Sequence, residues 1–228
     1  MKRVIILFLL LFSLSGLLSA QQDSTVRVSD FIKEIEQLDD HNHRMSLIIW
    51  MPWLYRQTAM IQASNGRPLD QRVQDMVKSM KQYTIVGVVD GKMVPFGINY
   101  RPDQDIRDSI RLTINDSVVF HPLEEKNLNS TMRDLLGLLR PIMSSMLGQM
   151  GNYLSFFVFE NTNPKGKYYI DAGSPGKFSI SLSQSTVFSW RLPLDVLTPP
   201  SYFPVDGEKL SGKFEYCPYH GRKLKSTH

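Results

Sequence analysis

The amino-acid pattern predicts an α+β protein: an antiparallel β-sheet or sandwich, several helices and a small C-terminal hairpin appendage. Three observations carry that expectation. Apolar residues recur at helical spacing between residues 29 and 80 and again over 129–151. Short strand-like stretches divided by Asp-Gly, Asn-Asp and Asn-Pro-Lys-Gly read as antiparallel hairpins. The regular strand–helix alternation of a doubly wound nucleotide-binding fold is missing.

The chain begins MKRVIILFLLLFSLSGLLSA, where Lys2 and Arg3 precede an apolar run and then small residues, the layout of a secretory signal peptide over 1–20. Val4 to Leu14 is shorter than the roughly 20 apolar residues of a membrane span, so cleavage after Ala20 is expected rather than anchoring. With no cysteine beside that point, a lipid anchor is not expected. Every later apolar run is interrupted by charged or strongly polar residues, which predicts no membrane span after signal cleavage and a secreted or periplasmic protein. The mature 208 residues suffice for one core, carried on 21–200, with the tail 201–228 as an appendage. Their net charge of about +2 is no footprint for nucleic acid. Cys217 is the only cysteine, so packing rather than disulfides holds the core.

Ser29 as N-cap and the stripe Phe31, Ile32, Ile35 and Leu38 predict a first helix of about three turns. Ser46 to Met51 reads as a buried strand, and Pro52 as the start of a helix. Leu69, Val73, Met76, Val77 and Met80 share one helical face, with Pro68 suited to the first turn. YTIVGVV and KMVPFGINY flank Asp90-Gly91, a hairpin signal, and Pro95 points to an edge or bulge. Ile110, Leu112 and Ile114 alternate with polar residues before Asn115-Asp116, predicting a second hairpin.

Over 129–151, Met132, Leu135, Leu136, Leu139, Ile142, Met143, Met146, Leu147 and Met150 predict a long helix, kinked at Pro141 and ended by Gly151. YLSFFVFEN, KYYIDA, GKFSISLS and TVFSWRLPL then read as strands, with a turn at 163–166. VLTPPSYFP, residues 196–204, is a proline-rich connector and the best boundary.

The tail repeats itself. Phe203-Pro204-Val205-Asp206-Gly207-Glu208-Lys209-Leu210 aligns with Cys217-Pro218-Tyr219-His220-Gly221-Arg222-Lys223-Leu224 at an offset of 14, with Pro, Gly, Lys and Leu identical. Over these 22 residues the chain resembles a degenerate zinc ribbon, whose two knuckles each present Cys or His ligands to one tetrahedral ion. The resemblance implies Asp206, Cys217 and His220 as metal-position residues, while Phe203 stands where a further ligand belongs and cannot bind zinc. No cofactor is therefore expected, and zinc is the metal these donors suit if a fourth ligand comes from water, His228 or another chain.

Other candidates are weighed against ordinary structural roles. Asp40, His41 and His43 carry metal-ligating groups, but without ligand spacing a solvated helix end is the better explanation. The 11 methionines either line an adaptable groove or fill the core, and their shared face with leucines favours the core. Trp50, Trp53 and Tyr55 form either a stacking platform or core anchors; the interleaved Ile48, Ile49 and Leu54 favour burial. Asp103, Asp105, Glu124 and Glu125 lie in polar connectors, where carboxylates stay ordinary. No G-x-S-x-G, H-E-x-x-H, P-loop or G-x-G-x-x-G pattern occurs. The expected function is thus a non-catalytic binding or envelope-associated module with a protein or small-molecule ligand. A metal protein using the tail comes next, and a hydrolase with a spatially assembled site last.

Overall fold

The computed structural model describes residues 26–64, 67 and 70–226; the expected signal segment 1–20, Pro68, Leu69 and His228 lie outside them. The α-helices are α1 (Val28–Ile35), α2 (Trp53–Ala63), α3 (Gln71–Ser79), α4 (Asp103–Ser109) and α5 (Ser130–Met146). The strands are β1 (Glu36–Asp39), β2 (Arg44–Met51), β3 (Tyr83–Val94), β4 (Gly97–Tyr100), β5 (Arg111–Ile114), β6 (Val118–Phe120), β7 (Ser155–Glu160), β8 (Gly176–Ser181), β9 (Val187–Leu192), β10 (Ser201–Tyr202) and β11 (Lys209–Leu210). All pair antiparallel, so the α+β class holds.

One sheet runs β1–β2–β3, and two strands share the far side of β3: β7 pairs with Tyr83 to Val88 and β4 with Gly91 to Val94. The second sheet runs β6–β5–β8–β9. The two meet through Trp50 of β2, whose ring lies 4.7 Å from Phe178 of β8 and 6.1 Å from Trp190 of β9. Phe178 and Trp190, cross-strand partners on β8 and β9, stack at 4.9 Å, and Trp50 of the first sheet packs against both. Phe31 of α1 and Tyr55 of α2 meet edge to face at 6.0 Å. Met80, Met132 and Met143 are buried in the core as expected, whereas Met146 is exposed.

Several local expectations fail for physical reasons. α1 stops at Ile35 because Glu36 to Asp39 pair with Ile49 to Ser46, which leaves Leu38 60% exposed on a strand. The cap is Arg27, not Ser29, and the Asp30 carboxylate accepts the Arg27 N–H at 2.9 Å. α3 takes its cap from Asp70, which accepts the Val73 N–H at 2.9 Å. α5 carries Pro141 inside it and ends at Met146, before Gly151. KYYIDA forms no strand; buried Asn161 instead bonds Ile170 through both ends of its side-chain amide. Asp103 and Asp105 sit in the first turn of α4 rather than in a connector.

The largest correction concerns Asp90-Gly91. β3 runs straight through this pair, and the chain reverses at Pro95-Phe96. Asp90 is buried, facing Ser46 across the ladder, and its carboxylate accepts from Arg44 Nη2 at 2.9 and 3.1 Å, Arg101 Nη1 at 2.6 Å and Ser46 Oγ at 2.6 Å. Gly91 serves close approach: a Cβ there would lie 2.6 Å from Ile98 Cγ2. Asp90→Ala strips two guanidinium groups of their shared carboxylate, so urea denaturation should show a loss of about 3 kcal/mol. An unchanged midpoint would contradict this role.

Candidate functional site

The tail folds as two matching turns. Phe203 N–H donates to Glu208 C=O at 2.8 Å and Gly207 N–H to Phe203 C=O at 2.9 Å. Fourteen residues on, Cys217 N–H donates to Arg222 C=O at 2.7 Å and Gly221 N–H to Cys217 C=O at 2.8 Å. Gly207 and Gly221 take φ of +75° and +65°, a conformation in which side chains are strained. The sequence repeat is therefore a repeat of backbone geometry.

Its side chains diverge. Cys217 is buried with its Sγ 3.4 Å from His220 Nδ1, and the buried Phe203 ring stacks on His220 at 4.7 Å. Exposed Asp206 accepts the Glu208 N–H at 2.9 Å within its own turn. The structure thus brings Cys217 and His220 together but not Asp206, and among the described residues no three His, Cys, Asp or Glu side chains converge as a metal set. Two donors do not make a closed structural site, which takes four. Lys213 ties the tail to the body through Asp195 at 2.7 Å.

The remaining sequence candidates take structural places. Trp50 and Tyr55 are buried, and the Trp53 ring face is covered by Lys81 Nζ at 3.4 Å from its centroid, so none of them offers a clear stacking platform. Arg56 is buried on α2, donating to Met80 and Tyr83 carbonyls at 3.1 and 3.0 Å, and burial pulls its guanidinium down to about 10. Asp40, His41 and His43 occupy the β1–β2 turn, in which Asn42 and His43 have positive φ. There His41 Nδ1 lies 2.8 Å from the Asp39 carboxylate.

A different place collects charge. Between α4, α5 and β7 opens a cleft of about 460 Å³ lined by Arg101, Arg107, Arg133 and Arg140, against the carboxylates of Asp103 and Glu125. Three of the guanidinium groups are fixed by the chain. Arg101 is held by Asp90 and, through Nη2, by the Asp105 carbonyl at 2.7 Å and Ser109 Oγ at 2.6 Å. Arg107 donates to the Leu123 carbonyl at 3.1 Å, lies 3.6 Å from Asp103 and sits 5.1 Å over the Phe157 ring. Arg133 donates to the Leu128 carbonyl. Arg140 lies 5.8 Å over the Phe156 ring, and among the described residues neither it nor Arg133 meets a carboxylate within ion-pair distance. Tyr153, half exposed on the rim, stacks on Tyr100 at 3.9 Å.

Positive groups gathered in one cleft raise the local potential, which suits an anion. Sequence reasoning missed these residues because they come from separate elements. Only Arg133 and Arg140, seven apart on one helix face, left a local sign. Compared with protein-family models, curated proteins and solved structures, the chain finds no match in any of the three.

The Asp39 carboxylate, hydrogen-bonded to Nδ1, raises His41 above its ordinary 6.5, with Coulombic attraction to Asp39 and Asp40 adding to it. The sign follows: whatever this contact adds to stability is complete below about 6.5 and is lost as pH rises through the raised folded value. Proton NMR titration of the ring should find a His41 midpoint above 6.5 that falls toward it in Asp39→Asn. A midpoint at 6.5 in both proteins would contradict the pairing.

Proposed function

We propose that the chain is an exported, non-catalytic binding protein whose ligand is an anion received by the arginine-lined cleft. The observation that carries this is the convergence of Arg101, Arg107, Arg133 and Arg140 on one hollow that holds two carboxylates. The size suits a small ligand or a short stretch of a larger one. The hydrogen bonds on Arg101, Arg107 and Arg133 hold their planar groups in place before any ligand arrives, which reduces the ordering cost of binding. The basic, then apolar, layout of residues 1–20 supports export to a secreted or periplasmic location, and the small mature net charge speaks against nucleic acid as the ligand.

Calorimetric titration of the mature protein with inorganic pyrophosphate tests this. Binding should weaken steeply with salt and by about tenfold in Arg140→Gln, the loss of one charge-assisted hydrogen-bond donor. Absence of heat, or equal affinity in the variant, would contradict the site.

The tail supports a second reading, carried by the 3.4 Å approach of Cys217 Sγ to His220 Nδ1. In it these two, with donors from water or another molecule, hold zinc. Metal analysis of untagged protein beside Cys217→Ser separates the readings: zinc lost with the thiol supports the tail site, and zinc in neither sample removes it.

A further inference from the structure

The floor of the cleft offers more than charge. Hydrogen bonds in an antiparallel ladder alternate, so every second residue of an edge strand turns its N–H and C=O outward. Asn161 N–H donates to Gln82 C=O at 2.7 Å, one step beyond the Tyr83–Glu160 pair, which turns Phe159, Phe157 and Ser155 toward β3 and Val158 and Phe156 away from it. Val158 bears this out, because its outward carbonyl accepts Leu123 N–H at 2.7 Å. The next outward position is Phe156, which lines the cleft, is 4% exposed, and has no such partner for its N–H or C=O among the described residues.

Buried backbone groups are nearly always paired, so this position calls for a ligand that both accepts and donates. A bare oxyanion answers only the N–H. An extended peptide answers both groups along one edge, and Leu123 already shows a chain segment lying against β7 in that way. Guanidinium groups on the cleft walls then select the side chains: Asp90 answers Arg101 and Asp103 lies by Arg107, but Arg133 and Arg140 meet no carboxylate among the described residues, which favours a ligand that brings its own.

We infer that the cleft receives an extended acidic peptide segment of a partner protein, which adds to the β7 edge at Phe156 through its backbone and meets Arg107, Arg133 and Arg140 with its carboxylates. This rests on the anion-binding reading above, and the arms of the test separate the two.

The mature full chain is titrated with a decapeptide alternating Glu and Val, with the same peptide N-methylated at alternate amides, and with pyrophosphate. The acidic peptide should bind, lose about tenfold in affinity on N-methylation and about tenfold in Arg140→Gln, and move the Phe156 amide proton downfield in NMR spectra. Arg140 is exposed on α5, so the variant should keep the wild-type circular dichroism spectrum, which is recorded alongside. Equal binding of the N-methylated peptide, or an unmoved Phe156 amide, overturns pairing at the edge. Pyrophosphate binding without peptide binding overturns the peptide inference and leaves the anion site standing. Failure of both overturns both.

Discussion

A carboxylate in the middle of the longest strand is the feature on which the rest of the architecture depends. Isolated in the interior, Asp90 would carry a desolvation cost of several kcal/mol. Two guanidinium groups and a hydroxyl answer it from two places: Arg44 and Ser46 from β2, and Arg101 from just after β4. The carboxylate therefore pins β2 to β3 on one side and the β4–α4 junction on the other. Because β3 continues through this point, it is long enough to pair with β7 along one half and β4 along the other.

The same interaction shapes the candidate site. Arg101 spends one amino group on Asp90 and the other on the Asp105 carbonyl and Ser109, so the residue that neutralises the buried charge also seats α4. α4 carries Arg107 over the Phe157 ring, and β7, carried by β3, supplies the floor beneath it. α5 closes the other wall with Arg133 and Arg140. A latch built for stability and a cleft suited to anions thus share one arginine, and loosening Asp90 is expected to reach the cleft through Arg101.

Local chemistry was legible where it acts alone. Asn115-Asp116 adopts positive φ at both residues and turns the β5–β6 hairpin as its letters suggest, and Pro52 starts α2. The offset of 14 in the tail became a repeat of backbone hydrogen bonds. Where distant partners compete, the letters misled. Asp90-Gly91 has the composition of a tight turn, but Arg44 and Arg101, far away or beyond the expected hairpin, make an extended backbone the better outcome for that carboxylate. Likewise Leu38 fits a helical stripe, yet pairing with β2 claims its segment. The cleft was hidden for the same reason, since its arginines are spread over residues 101–140 and converge only once the sheet sets α4 against α5.

An anion site shared by these arginines is reported most directly by the guanidinium Nε–H resonances of the protein. On titration with pyrophosphate, the signals of Arg107, Arg133 and Arg140 should shift together along one saturating curve, while buried Arg56 stays in place. Shifts confined to the tail, or scattered over surface lysines and arginines without saturation, would contradict the account.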